Sequence, residues 1–205
     1  MQNDSGLQRW LKVPFLYNLC QDCIGGNALR RRIIQNHVRA KAGDKVIDIG
    51  CGPAQILPWL PAVDYLGLDV NGAYIASAKR KYPGMGTFVV GDTRTLWDDP
   101  RFANADLVIG LGILHHLEDA DAAHCFGFAY RALKDGGRFV CLDACWIANQ
   151  GFLSRYVMSM DRGQNVRTEQ EYRHLAETVF PKVDTWVDIK PLRIPYLTVV
   201  LECQK

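Results

Sequence analysis

The chain has 205 residues, 48% of them hydrophobic, and a formal net charge of +2 at pH 7. That length and apolar share suit one domain with a full core, and the near-balanced charge gives no global reason to expect nucleic acid. No apolar run approaches the ~20 residues that cross a bilayer, the polar start lacks the form of a secretory signal, and seven cysteines are too few and too scattered for a disulfide scaffold, so a cytoplasmic protein without membrane insertion is expected.

In chain order, residues 1–42 read as a helical cap. Leu7, Trp10 and Leu11 make one apolar face, Pro14 interrupts it, and Leu16, Leu19, Cys20 and Cys23 resume it. Cys20-x-x-Cys23 has no second such pair to complete a zinc site, and no metal is expected. After Gly25-Gly26, Asn27 is placed to cap a helix carrying Leu29, Ile33, Ile34 and Val38. Arg30, Arg31, Arg32, Arg39, Lys41 and Lys45 form a basic cluster, read either as a solvated helix face or as a grip on RNA.

Residues 43–205 change rhythm. Short apolar runs at 46–49, 65–68, 87–90, 107–111 and 138–143 alternate with helical stretches at 72–81 and 119–134, which implies a parallel sheet covered on both faces. Pro53, Pro58 and Pro61 limit any helix of the first crossover to a short or kinked one. Thr168 with Glu171 forms a capping box, and two strands at 183–189 and 197–203, joined without a helix, close the sheet antiparallel.

The segment Val46–Ala54 carries the strongest functional signal. An apolar strand ends on Asp48 and breaks into Gly50-Cys51-Gly52, where missing Cβ atoms permit a sharp turn and close approach of a ligand. Asp48 is expected to reach past the strand end. Asp69 and Asp92 close the next two strands, so the three acids line one crevice. Asp69 falls about twenty residues beyond Gly50, the spacing of an acid that accepts both ribose hydroxyls. Asp92 lies one strand further out, toward an adenine amino group. A nicotinamide fingerprint requires glycine at Gln55, and Pro53 disturbs the helix that holds a pyrophosphate, so a cofactor without phosphates fits better.

Residues 45–145 resemble a class I S-adenosylmethionine-dependent methyltransferase. The resemblance rests on Asp48-Ile49-Gly50-Cys51-Gly52, Gly67-Leu68-Asp69-Val70-Asn71, Gly91-Asp92, Ala105–Gly110 running into Leu114-His115-His116-Leu117-Glu118-Asp119, and Ala132–Phe139. It implies a Rossmann-like α/β fold, a doubly wound, mostly parallel seven-stranded sheet with the last strand inserted antiparallel. It implies S-adenosyl-L-methionine as cofactor, with Gly50, Cys51 and Gly52 beside its amino acid portion, Asp69 at the ribose, Asp92 and Thr93 at adenine, Leu111 near the methionine part, and Val70 as a further cofactor contact. Ala54 stands where many members have a third glycine, a difference expected to leave binding intact.

Methyl transfer from a sulfonium needs alignment more than covalent help. His115 and His116 are the titratable groups best placed to take a proton, although the His-His-Leu run recurs across different chemistries and also suits packing. Acceptor contacts are expected from Tyr17 in the cap, from Trp146 and Arg155 in an inserted substrate-side segment at 146–167, where Arg162 and Arg167 add charge, and from Tyr196. The leading expectation is methylation of a small molecule at oxygen, nitrogen or carbon. RNA methylation, a nucleotide-dependent oxidoreductase and a noncatalytic cofactor-binding module are the alternatives. The acceptor, the need for a base and the oligomeric state are not legible.

Overall fold

The computed structural model describes residues 26–160, 163–189, 192 and 194–205. The expected helices before Gly26, with Tyr17 and the Cys20 and Cys23 pair, lie outside the described residues, as does Arg162.

The sheet runs in the order β3-β2-β1-β4-β5-β8-β7. Its strands are β1 (Lys45–Ile49), β2 (Asp64–Asp69), β3 (Thr87–Val90), β4 (Ala105–Leu111), β5 (Leu133–Trp146), β7 (Lys182–Asp188) and β8 (Thr198–Gln204), while a two-residue β6 (Arg167–Thr168) pairs with the end of β5. Pairings β1–β2, β1–β4, β2–β3 and β4–β5 are parallel, and β8 runs antiparallel to both neighbours. Strand order therefore reverses between β1 and β4, the point at which doubly wound sheets open a ligand crevice beyond their carboxyl ends.

The interior strands read as apolar runs because helices cover both faces. On one face, helix α1 (Gly26–Ile33) and the π-helical turn Ile34–Val38 pack Leu29, Ile33, Ile34 and Val38 on Val46, Leu107, Val140 and Val200, joined by Ile75 and Ala78 of helix α2 (Gly72–Lys81). On the other, Phe126 and Ala129 of helix α3 (Asp119–Ala132) and Tyr172 and Ala176 of helix α5 (Glu169–Glu177) pack on Ile47, Val108, Phe139 and Leu201. Helix α4 (Phe152–Ser159) stands past the carboxyl end of β5, where Met158 joins Ala144, Leu197, Trp146 and Tyr196.

Two expectations are corrected. Asn27 sits inside α1 rather than before it, and its side chain accepts from Arg30. Helix α3 ends at Ala132 because Leu133 already pairs with Ala105, the first contact of β5 across a register shift in β4. The first crossover holds only a single 3-10 turn at Leu57–Trp59, the limit that its prolines set.

Candidate functional site

Beyond β1 the chain turns through Gly50 and Gly52, with φ of +69° and +53°. A Cβ on Gly50 would stand 2.9 Å from Cδ1 of Ile113, so the loop after β4 folds directly against this turn. A Cβ on Gly52 would meet no atom within 4 Å, which leaves an open cradle above its backbone. Ala54 also adopts a left-handed conformation, φ 54°, with its methyl buried, so the departure from a third glycine is accommodated at the backbone rather than in the open cradle.

Asp69 is fixed at the mouth of this cradle. One carboxylate oxygen accepts the Gly52 N–H at 2.9 Å and the other the Asn71 N–H at 2.7 Å. Asn71 in turn caps α2 by accepting from the amides of Ala73 and Tyr74. Each oxygen of Asp69 keeps a further lone pair. Val70 follows with 70% of its surface exposed, an isolated apolar side chain beside that carboxylate. At the end of β3, one oxygen of Asp92 accepts from the amides of Arg94 and Thr95 and from the Thr95 hydroxyl, and those donors hold its pKa below the usual carboxylate range. Thr93 lies beside it, its carbonyl facing a ring nitrogen of His124 at 3.2 Å. Leu111 ends β4 half-buried.

Asp48 does not reach past its strand. It is 3% exposed and accepts the Tyr65 hydroxyl of the adjacent strand, because β1 is buried on both faces. Burial raises its pKa to about 7, opposed by the Tyr65 hydrogen bond and reinforced by the charge of Asp69. The unfolded chain ionises this group near 3.8 and the folded one near 7, so its contribution to stability is full below about 4 and is lost as pH rises to about 7. Asp48→Asn is therefore expected to remove that slope. Thermal unfolding of both proteins from pH 4 to 8 checks it, and two parallel curves would contradict it.

Cys51 is buried beneath the turn, its amide donating to the Leu68 carbonyl at 2.9 Å, and burial pushes its thiol well up, so the sulfur stays a neutral packing group.

The loop after β4 brings His115 and His116 together, ring centroids 4.1 Å apart. His116 is exposed, whereas His115 is 6% exposed and its Nδ1 is hydrogen-bonded to Asp143, a residue of β5 that is 1% exposed. Asp143 also accepts the main-chain N–H of Leu114 and of His115, each at 3.0 Å. Asp143 is not among the expected site residues: it lies inside β5, three residues before its end at Trp146, and only the folding back of the loop after β4 brings partners to it. The opposite side of the His115 ring is covered by Gly163, where a Cβ would fall 1.8 Å from Cδ2.

Among the expected acceptor residues, Trp146 and Tyr196 share the cluster around Met158, and Arg155 is exposed on α4 with Phe152, Leu153 and Tyr156. Arg167 is corrected. It is 6% exposed and donates to the carbonyls of Leu114, Leu117 and Asn165 and to Asp119, so it braces the histidine loop instead of facing an acceptor. The arginines of α1 are engaged as well: Arg31 lies 4.3 Å over the Trp59 ring and Arg32 pairs with Asp188.

Residues 47–141 match the family described as methyltransferase domain. The chain carries a class I S-adenosylmethionine-dependent methyltransferase domain. It is an enzyme domain, and S-adenosylmethionine is its cofactor. The open cradle at Gly52 and the lone pairs of Asp69 fit that cofactor, whose nucleoside offers hydroxyl donors and no phosphate.

Solved structures agree in fold. A TehB-like SAM-dependent methyltransferase from Corynebacterium glutamicum is 22% identical, with a TM-score of 0.62 over 86% of this chain and 88% of that one. The pyocyanin biosynthetic protein PhzM is 18% identical with a TM-score of 0.73, covering 97% of this chain and 62% of its own. Geranyl diphosphate C-methyltransferase from Streptomyces coelicolor is 15% identical with a TM-score of 0.66, covering 87% and 80%. No curated protein sequence matches the methyltransferase chain. Among the described residues no helix is long and apolar enough to cross a membrane.

Proposed function

We propose that this methyltransferase acts on a small-molecule acceptor in the cytoplasm, methylating oxygen, nitrogen or carbon by direct displacement. The observation that carries the reading is the contact of Ile113 with the Gly50 turn, which sets the His115–His116 loop against the cofactor cradle at the β1–β4 reversal. In this reading Asp48 supports the turn from below, Gly50, Cys51 and Gly52 pass the amino acid portion, Asp69 and Val70 hold the ribose, Asp92 and Thr93 meet adenine, and Leu111 lies near the methionine part. Trp146, Arg155 and Tyr196 contact the acceptor in this reading, and Tyr17 is a further acceptor contact to be tested.

When bound, S-adenosylmethionine supplies a methyl group on a sulfonium that departs as a neutral thioether. The chain's own part is alignment, for which well-oriented groups supply several kcal/mol, on the order of 7–11 at most. Where the acceptor is a hydroxyl or amine, His115 or His116 takes its proton as the acceptor lone pair bonds to the methyl carbon. A geranyl diphosphate methyltransferase and the pyocyanin biosynthetic protein share the fold, which supports a small acceptor. The RNA reading loses support because Arg31 and Arg32 are engaged within the chain.

The test uses the full chain with S-adenosylmethionine carrying a labelled methyl group, offered a small-metabolite extract and an RNA pool separately. Label is expected in the small-molecule fraction. Label in RNA alone, with binding that weakens steeply as salt rises, would overturn the reading.

A further inference from the structure

We infer that the outer edge of β7 is a docking surface for a second copy of this chain, the two joined edge to edge by an antiparallel β7–β7 pair whose two-fold axis passes at Thr185.

Strand β7 ends the sheet. It pairs along its whole length with β8, from Lys182 opposite Gln204 to Asp188 opposite Thr198, and among the described residues no strand takes its other side. The N–H and C=O groups on that side form an open template for another strand. Large apolar side chains cluster there, with Trp186 45%, Val187 39% and Ile189 59% exposed. The edge is also fixed from both faces. The Thr185 hydroxyl accepts from Arg173 and donates to Glu169 of α5, while on the α1 side the Trp186 ring lies 5.1 Å from His37 and Asp188 pairs with Arg32. A strand held in this way presents its template with little left to order on binding.

Charged residues commonly protect such an edge, and β7 carries Lys182, Asp184 and Asp188. Their order makes one partner an exception. An antiparallel self-pair centred on Thr185 sets Lys182 opposite Asp188, Val183 opposite Val187 and Asp184 opposite Trp186, each contact made twice by symmetry. A shift of two residues in either direction sets Asp184 opposite itself or opposite Asp188, and a parallel in-register pair sets every charge opposite its own kind. Like charges directly opposite are destabilising, so the centred antiparallel register is favoured over these, and it closes as a dimer instead of an open stack.

The surroundings suit that register. The Lys182 side chain is 64% exposed with its ammonium 3.8 Å from Asp184, within reach of Asp188 of the second copy, which keeps Arg32 on its own chain. A groove of about 270 Å³ lined by Arg39, Arg138, Lys182, Asp184, Trp186 and Glu202 opens beside the strand, and Trp186 of the second copy, standing opposite Asp184, comes to its rim.

The experiment is sedimentation of the full chain over a range of concentrations. A reversible monomer–dimer equilibrium with a micromolar Kd is expected, since one strand pair makes an interface at the small end of specific ones. K182E and D188K are each expected to weaken dimerisation at least about fivefold, because each sets like charges opposite one another at both ends of the pair. An equimolar mixture of the two variants is expected to recover it, as every end then faces the opposite sign. With a short thiol-reactive cross-linker, Thr185→Cys is expected to join to its own copy above the wild-type level and Val187→Cys is not, since Val187 stands opposite Val183.

A chain that stays monomeric at the highest concentration overturns the proposal. So does a dimer that neither charge reversal weakens, or one that the mixture fails to restore. Cross-linking through Val187→Cys in place of Thr185→Cys overturns the register. If D188K does not fold once Arg32 loses its partner, K182E and the two cysteine variants decide by the same outcomes.

Discussion

Replacing Arg167 with alanine is expected to lower stability by about 3–5 kcal/mol, roughly 6–20 °C in the unfolding midpoint for a chain of this size. The guanidinium is buried and donates to three main-chain carbonyls, those of Leu114, Leu117 and Asn165, on two segments far apart in sequence. Truncation leaves those carbonyls without a donor, and each buried unsatisfied group costs about 1–3 kcal/mol, less than additively because they share one donor. The ion pair with Asp119 adds little, since that carboxylate is 81% exposed. Arg167→Lys should recover only a fraction of the loss, because a single ammonium cannot reproduce a planar fork aimed at several acceptors. Urea unfolding of the three proteins measures this. A loss under about 1 kcal/mol for the alanine variant would mean that the carbonyls find other donors.

The sheet was legible because parallel strands buried on both faces leave apolar runs, and Val46–Ile49 and Leu107–Leu111 fall within β1 and β4. The capping box of Thr168 and Glu171 was legible for a similar reason, as both partners sit within one turn. The side-chain placements that escaped the sequence reading depend on partners far along the chain. Asp48 resembles a ligand-facing acid until Tyr65, one strand over, is seen to take its carboxylate. Arg167 resembles a surface cation until the carbonyls past β4 are brought beneath it. Asp143 lies within β5, and local pattern does not reveal that the loop after β4 turns its amides back onto that strand. Burial of a polar group is decided by topology, which periodicity reports only coarsely.

Asp69→Ala is expected to weaken S-adenosylhomocysteine binding by about 1–3 kcal/mol, roughly 5- to 150-fold in Kd, on the ribose assignment proposed above. The carboxylate couples two tasks. It ties the Gly52 amide to the Asn71 amide, holding the glycine turn against the start of α2, and it keeps one lone pair per oxygen for a ligand hydroxyl. Asp69→Asn should fare little better, because either rotamer of the carboxamide points its NH₂ at one of these N–H donors. Loss of the turn and loss of the sugar contact are separable by a double cycle with a 2′,3′-dideoxy analogue of S-adenosylhomocysteine. If Asp69 holds the hydroxyls, the alanine variant binds the two ligands with nearly equal affinity while the wild type prefers the natural one. Calorimetry on the four pairs decides it. A variant that still discriminates as strongly as the wild type would confine Asp69 to shaping the turn and move ribose recognition to another group in the crevice.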